Sequence, residues 1–380
     1  MRRRRTLRWT AALGLIAVLC GLPYAIGKLP AGGSSINAKG LLARVQASAS
    51  VGYSGYAESS GTLALPVTTG QFSSVADLFG STTQLRVWWR TPRDWRVDQT
   101  TVSGEQDLHA AGEDLWSWNY ESNTAELDRG ALASGAHLPR PDDLVPASLA
   151  RRLLSQAQPD EVRRIASKRI AGREAAGLRY TPNAAQSTIS RVDVWALPGS
   201  GLPVSVAVYG KGDSLALVST TMLDLSTSEP STATTAFSPP PGAKVSGGNA
   251  PDLLSLADRL QTVPTPRTLG GLPRDSISPT ASAVTAYGSG ATVLVAIPVF
   301  GRTGGQIRDQ LTKAVGSVKT PQGVTTAIGP VNVLLSDPVS VGVFKSQRGT
   351  FQPQISWLLV GTVTTATLTQ AGADIASAGR

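Results

Sequence analysis

Apolar and polar residues alternate in short runs between Leu85 and Asp128, and turn residues separate the runs. The turns fall at Pro92-Arg93, Ser103-Gly104, Gly112-Glu113 and Glu121-Ser122-Asn123. A period of two is typical of strands with one buried face, and tight turns between such runs are typical of hairpins. The pattern therefore predicts an antiparallel meander with short connections.

Tryptophan is concentrated in this meander, which holds five of the eight tryptophans of the chain. Alternation along one run places Trp116, Trp118 and Tyr120 on the same face of the sheet. A face with so much aromatic area has to be covered by helices, by a second sheet or by a ligand. We expect a lipophilic cleft, and the candidate ligand-binding residues are Trp89, Trp95, Trp116, Trp118 and Tyr120. The alternative is that these side chains only fill the core.

Similar patterns continue on both sides of the meander. They predict a helix at 37–50, a hairpin about Ser59-Ser60, and a helix that begins at Pro141 with acids in its first turn and with Arg151 and Arg152 near its end, as the helix dipole prefers. Further strands are predicted at 162–170, 174–181, 188–197, 203–209 and 215–225. The fold class that follows is α+β: a large, curved antiparallel sheet capped by helices, over residues 36–245.

A proline-rich segment separates this unit from a smaller one. The run from Phe237 to Val245 contains three consecutive prolines and cannot pair as a central strand. Residues 246–281 are predicted to hold a short helix and a semi-rigid, proline-rich linker. Strand and helix patterns alternate over residues 282–380, with the last helix at 367–378, and predict a small α+β C-terminal domain.

The first 30 residues have the pattern of a membrane segment. Arg2 to Arg5 and Arg8 precede an apolar run from Trp9 to Gly27, close to the roughly 20 residues that a bilayer-spanning helix needs. The arginines place the N-terminus in the cytoplasm and the bulk of the chain outside a cell membrane that it crosses once. We interpret residues 1–30 as a basic tail and a signal-anchor helix. A cleaved secretory signal and a lipoprotein signal at Cys20 are the alternatives.

The net charge of +9 is concentrated in the same segment. Residues 1–30 hold six basic and no acidic residues, so the remainder carries 29 basic against 26 acidic residues. A nucleic-acid-binding surface is therefore not expected. Cys20 is the one cysteine, and His109 and His137 are the two histidines. No disulfide can form within the chain, and we expect neither a metal nor a cofactor.

No catalytic motif is present in the sequence, neither a glycine-rich phosphate loop nor a Gly-x-Ser-x-Gly elbow. His109 lies in a predicted strand and is expected to be half-exposed, and His137 is expected in a loop. Charge at a helix N-terminus explains Asp142-Asp143, and a turn explains Glu113-Asp114. We therefore expect a protein that is not an enzyme and assign no catalytic residue.

Several segments resemble the superfamily of the lipoprotein carrier LolA and the sigma-E regulatory protein RseB. Residues 88–98 and 112–120 are similar to two strands of its domain, and the Pro-Pro-Gly-Ala-Lys-Val run that ends at Val245 is similar to the end of that domain. Residues 355–363, followed by a helix, resemble the small C-terminal domain of the RseB type. The resemblance implies an unclosed β half-barrel whose helix-capped concave face binds acyl chains or a segment of a partner protein.

Three functions follow from the pattern and the resemblance together. The first is a membrane-anchored extracytoplasmic protein that binds lipid or lipoprotein acyl chains and regulates an anti-sigma factor or another envelope protein. The second is a lipid- or lipoprotein-handling module with no signalling role. The third, from a different class, is an envelope hydrolase.

Overall fold

The computed structural model describes residues 33–62, 78–101, 104–133, 137, 139–247, 265–275, 284–314, 316–340, 344–346, 349–351 and 354–378. The N-terminal segment that the sequence predicts as a membrane anchor lies outside these residues, and so does the helix predicted near residue 255. In the part of the chain that is described, no helix combines the length and the apolar character needed to span a bilayer.

The N-terminal part is built on one large sheet with few helices. Its strands are β1 Tyr53–Gly61, β2 Thr82–Thr91, β3 Asp94–Thr101, β4 Gly104–Ala111, β5 Asp114–Asn119, β6 Thr124–Asp128, β7 Val162–Ile170, β8 Arg173–Tyr180, β9 Ile189–Ala196, β10 Pro203–Gly210, β11 Val218–Ser226 and β12 Lys244–Gly247. The helices are α1 Ala38–Gln46, α2 Pro146–Leu153 and α3 Thr232–Thr235, with 3-10 turns at Ser48–Ser50 and Pro141–Leu144. The strand order of this 12-stranded sheet is β12-β6-β5-β4-β3-β2-β1-β11-β10-β9-β8-β7.

Local chemistry explains where these elements begin and turn. The Asn37 side chain accepts a hydrogen bond of 2.7 Å from the Gly40 amide and caps the start of α1. Ala171 and Gly172, with φ of 46° and 72°, form the tight turn between β7 and β8. Asp143 accepts a hydrogen bond from the Arg140 amide at the turn before α2, which agrees with the helix-start role predicted for the acid pair.

The predicted hairpin about Ser59-Ser60 is wrong. Strand β1 runs unbroken through both serines, because Ser59 pairs with Thr83 of β2 on one side and with Thr220 of β11 on the other. A strand with partners on both sides satisfies its backbone hydrogen bonds without turning. Local turn residues are therefore overridden by pairing that joins the two halves of the sheet.

The sheet is mixed and open rather than purely antiparallel. The β12–β6 pair is parallel, and every other pair in this sheet is antiparallel. The end strands β7 and β12 pair on one side only within the described residues, so the sheet is not a closed barrel. The coarse prediction of a large sheet with few helices is confirmed.

One end of the sheet curls strongly. Strand β7 lies four strand spacings from β11 along the sheet, which is about 19 Å if the sheet were flat. Residues of the two strands nevertheless come within 8 Å, Cα to Cα. The Trp195 indole N–H also donates a hydrogen bond of 3.0 Å to the Ala166 carbonyl across this curl. The curl makes one face of the sheet concave, as expected for a twisted sheet of this size.

The helices cover the inner face of the sheet. Leu41, Leu42 and Val45 of α1 are buried where this helix packs on β7 and β8, and Ala147 and Ala150 of α2 are buried between the two halves of the core. Burial of these apolar side chains is the main stabilising contribution of both helices, since isolated helices of this length are marginal in water.

The C-terminal part is a second, smaller α+β unit. Its elements are β13 Thr268–Leu269, β14 Leu272–Pro273, β15 Thr285–Ser289, β16 Thr292–Phe300, α4 Gly301–Lys313, β17 Val318–Thr320, β18 Gly323–Ile328, β19 Val331–Ser336, β20 Val339–Ser340, β21 Phe344–Ser346, β22 Gly349–Phe351, β23 Gln354–Gly361 and α5 Thr365–Ala378. The main sheet has the order β15-β16-β23-β19-β18-β17, with β20 also paired to β23. The β13–β14 hairpin lies in the segment interpreted as a linker, yet Leu269 and Leu272 are buried in the C-terminal core.

Candidate ligand-binding site

The five candidate aromatic residues lie on two opposite faces of the sheet. Trp89 pairs with Trp95 across β2 and β3, and both face the inner core. Trp116 pairs with His109, and Trp118 pairs with Asp107, on the outer face. Tyr120 follows on the same side and is 53% exposed. The structure therefore brings together two of the predicted residues inside and three outside, and the ligand-binding role of each remains a prediction.

The inner aromatic residues form a stack. The Trp89 and Trp95 rings are 5.8 Å apart and nearly parallel, and the Tyr53 ring lies 6.4 Å from Trp89. The Trp89 indole N–H donates to the Ala49 carbonyl at 2.8 Å, and the Trp95 indole N–H donates to the Pro92 carbonyl at 3.2 Å. Because both indole N–H groups are satisfied, the stacked rings form a continuous apolar wall, in which Trp89 is only 5% exposed.

Arg151 of α2 lies over this wall. Its guanidinium carbon is 4.9 Å from the centre of the Trp89 ring, within the range of a cation–π contact. Its Nη1 and the Tyr53 hydroxyl are both buried and have no hydrogen-bond partner among the described residues. Burial lowers the pKa of Arg151 and raises the pKa of the Tyr53 phenol. The site thus pairs an apolar wall with two unsatisfied donors.

Sequence reasoning missed Arg151 because it assigned the arginine doublet of α2 to the helix C-terminus. Helical periodicity contains the signal that was needed. Ala147 is buried in the core, and a residue four positions later lies on the same face of a helix. Arg151 is that residue, whereas the next one, Arg152, is exposed and pairs with Asp143 at 3.0 Å.

The outer aromatic residues are covered by the segment that follows α3. The Phe237 ring lies 4.7 Å from His109, 5.5 Å from Trp116 and 6.1 Å from Trp118, centroid to centroid. Trp118 is consequently buried, at 4% exposure, while Trp116 is half-buried. This face is therefore covered by the chain itself and not by a sheet or a capping helix.

A charged cluster lies beside these rings. Arg96 donates to Asp98 at 2.6 and 2.8 Å and to Asp107 at 3.0 Å, and its guanidinium carbon is 5.0 Å from the Trp88 ring centre. Burial and the neighbouring Asp98 carboxylate raise the pKa of Asp107 to about 7. The expectation that His109 is half-exposed is wrong: it is 2% exposed, because Phe237 covers it, and burial lowers its pKa to about 4.

Carboxylate oxygens of Asp98, Glu105 and Asp107 lie within 4.8 Å of one another. Such a group of acids can hold a divalent cation. Here, however, the Arg96 guanidinium already bonds to both buried carboxylates and supplies the compensating positive charge. We therefore assign an ion-pair network and no metal to this cluster.

The C-terminal domain contains a cavity of about 320 Å³ between α5 and the ends of β18 and β19. Its lining includes Gln322, Ser336 and Asp337, but no histidine, cysteine or lysine among the described residues. The Ser336 hydroxyl is already bonded to the Trp357 amide at 2.8 Å and to the Asp337 carbonyl. The Asp337 carboxylate of the lining is paired with Arg308 at 2.9 Å, and we assign no catalytic role to this cavity.

Comparison with known proteins gives matches among solved structures only. No family model matches the chain, and no curated protein matches it by sequence. A structure of MucB in complex with MucA(peri) has 16% identity and a TM-score of 0.45, covering 88% of this chain and 97% of that chain. The MucA/MucB complex of Pseudomonas aeruginosa has 16% identity and a TM-score of 0.44, covering 88% and 96%. The LolA-superfamily protein NE2245 of Nitrosomonas europaea has 10% identity and a TM-score of 0.26, covering 53% and 99%.

MucB and a LolA-superfamily protein are thus among the solved structures to which this chain is similar. All of these TM-scores are below 0.5.

Proposed function

We propose that the chain is a membrane-anchored extracytoplasmic binding protein whose inner sheet face takes up the acyl chain of a lipid or lipoprotein, and which regulates an anti-sigma factor or another envelope protein. It is not an enzyme. The observation that carries the proposal is the wall of Tyr53, Trp89 and Trp95, which ends at two buried donors that nothing in the described chain satisfies.

The cover over this wall is thin. Helix α2 has eight residues, too few for a helix that is stable by itself. An acyl chain reaches Trp89 when this helix and the turn before it move outward, because both cover the inner face. The apolar surface that a chain buries there compensates for the surface lost with the helix, at about 0.8 kcal/mol per buried methylene.

Native mass spectrometry tests the binding function on the full chain released from detergent. The expected result is a population that retains the mass of one acyl lipid, and a smaller population in Trp89→Leu. Trp357→Leu is the matched control, since Trp357 is equally buried (3%) but lies in the C-terminal domain. The proposal would be contradicted if the wild-type chain carried no lipid, both as purified and after incubation with phospholipid.

A protein partner is supported by apolar side chains left exposed at one edge of the sheet. Tyr120 is 53% exposed and Val245 is 58% exposed, and both lie next to the row that contains Trp118 and Ala125. A photo-crosslinking residue at position 120 should capture a membrane-bound regulator in living cells. The same residue at Leu215, which is 75% exposed, should not. Equal or absent crosslinking at both positions would leave lipid handling without signalling as the better account.

The place where the first described residues join the sheet supports the membrane anchor. Arg164 of β7 bonds to the Ile36 carbonyl, so the chain enters the domain beside this edge strand. Exposed cations follow the same strand and its turn, at Arg163, Lys168, Arg169 and Arg173, as expected for a surface held close to anionic headgroups. Alkaline extraction of membranes should leave the full chain in the pellet, and protease added from outside should digest the domains. A chain released in soluble form at its full length would contradict the anchor.

A further inference from the structure

The inner site contains a cation, Arg151, for which the described part of the chain supplies no counterion. Each of Arg96, Arg140 and Arg179 forms an ion pair with an aspartate. Arg151 forms none among the described residues, and its Nη1 has no hydrogen-bond partner. Among the described residues, the titratable group that interacts electrostatically with Arg151 is the Tyr53 phenol. Burial raises the pKa of this phenol, so it stays neutral and does not balance the charge of Arg151.

This arrangement is costly in the free protein. A partly buried charge without a counterion loses much of its hydration, and a buried hydroxyl without a hydrogen-bond partner also costs free energy, although less. The contact with Trp89 compensates in part, because a cation over an indole face contributes roughly 0.5–2 kcal/mol. It leaves both donors, Nη1 of Arg151 and the Tyr53 O–H, without an acceptor.

We propose that Arg151 and Tyr53 bind the anionic group of the acylated ligand, a phosphate or a carboxylate, while its chain lies along Trp89 and Trp95. This inference deepens the proposed function and rests on it. The Arg151 guanidinium carbon lies 4.9 Å and the Tyr53 ring centre 6.4 Å from the centre of the Trp89 ring. The two groups also interact electrostatically, and an oxyanion between them would accept a hydrogen bond from each. The Arg151 side chain as a whole remains partly exposed, so the anion reaches it from the surface.

The test measures binding to the full chain in a neutral detergent with three probes. Dioctanoyl phosphatidic acid carries the acyl chains and a phosphate, dioctanoylglycerol carries the chains alone, and inorganic phosphate carries the anion alone. The wild-type chain should bind phosphatidic acid on the order of 10- to 100-fold more tightly than dioctanoylglycerol, as expected for charge-assisted hydrogen bonds in a buried site. Inorganic phosphate should bind far more weakly than phosphatidic acid.

Three variants assign this preference to residues. Arg151→Met keeps an unbranched apolar stem, removes the guanidinium and should abolish the preference for phosphatidic acid over dioctanoylglycerol. Tyr53→Phe removes one donor without changing the volume and should reduce the preference several-fold. Arg152→Met is the control, since Arg152 is exposed and already paired with Asp143, and should leave the preference unchanged.

Thermal unfolding without ligand separates a binding role from a structural one. Arg151→Met should unfold at the same temperature as the wild type or above it, because it removes a buried charge that lacks a partner. A lower unfolding temperature, with weaker binding of both lipids, would show that Arg151 acts by packing on Trp89 and would overturn the inference.

Other outcomes distinguish this inference from the proposed function. Equal affinity for phosphatidic acid and dioctanoylglycerol would overturn the anion site and leave acyl-chain binding intact. Inorganic phosphate that binds as tightly as phosphatidic acid would overturn the lipid headgroup as the source of the anion. Failure of both lipids to bind would overturn the proposed function itself.

Discussion

At the scale of single residues, Arg96 and Arg151 differ in the acids available to pair with them. Each is packed against an indole, at 5.0 Å from Trp88 and 4.9 Å from Trp89 respectively. Arg96 bonds to two buried carboxylates, whereas Arg151 bonds to no acid among the described residues. The outer arginine therefore completes an ion-pair network, whereas the inner one keeps a buried donor without a partner in the described part of the chain.

The outer network predicts a dependence of stability on pH. The folded-state pKa of Asp107 is about 7, above its ordinary value of 3.8, so the folded chain holds this proton more tightly than the unfolded chain. Its contribution to stability is present at acidic pH and is lost as the pH rises from about 4 to about 7. Asp107→Asn removes this loss, so the variant should gain stability relative to the wild type over that range, by at least about 1 kcal/mol.

Urea unfolding of both chains between pH 4.5 and pH 8.5 measures this difference. His109 is present in both chains, so its own titration cancels in the comparison. A difference in the free energy of unfolding that stays constant over the range would contradict the raised pKa of Asp107.

At the scale of elements, strand β1 holds the two halves of the large sheet together. It lies between β2 and β11, and a Cβ on Gly55 would meet the Asp224 carbonyl oxygen of β11 at 2.2 Å. Gly55→Ala should therefore destabilise the chain by about 1–3 kcal/mol, because the backbone of β11 has to shift. Gly199→Ala is the matched control, since nothing lies within 4 Å of its Cβ position. Equal unfolding midpoints in urea for both variants would contradict the central role of β1.

Elements with strong local patterns could be predicted, and those that depend on distant pairing could not. The bounds of β7 to β11 follow closely from alternation and glycine-containing turns. The pairing of β1 on both sides, and the parallel β12–β6 pair, join residues far apart in sequence and have no local signal. The same limit applies to the candidate site. Alternation shows which residues of one strand share a face, but the pairing register between strands decides which face is inner, and it places Trp95 on the inner face and Trp116 on the outer face.

At the scale of the whole molecule, the C-terminal domain touches the helix that carries Arg151. A Cβ on Gly290, in the β15–β16 turn, would lie 2.8 Å from the carbonyl oxygen of Leu153 at the end of α2. The isolated bridge between Ser187 and Val363, flanked by the 3.0 Å hydrogen bond from Thr188 N–H to the Thr362 carbonyl, joins the same two domains. The cover of the inner site and the C-terminal domain are therefore in mechanical contact.

Gly290→Ala should push this contact apart and speed up hydrogen exchange in α2 several-fold, because the helix loses a neighbour at its C-terminal end. Gly329→Ala is a close control. Its φ of 57° matches the 58° of Gly290, so the backbone strain is the same, but nothing lies within 4 Å of its Cβ position. Hydrogen exchange followed by mass spectrometry of the α2 peptide reports the result. Equal rates in both variants would mean that the contact does not support the helix.

The composition of the lipid that copurifies with the full chain tests the central claim most directly. Lipid is extracted from the purified wild-type chain, from Arg151→Met and from the source membrane, and the three compositions are compared. The wild-type chain should carry about one bound acyl lipid. That lipid should be enriched in anionic species over the membrane, and the enrichment should disappear in the variant. Bound lipid with the composition of the membrane in both chains, or no bound lipid in either, would contradict the account.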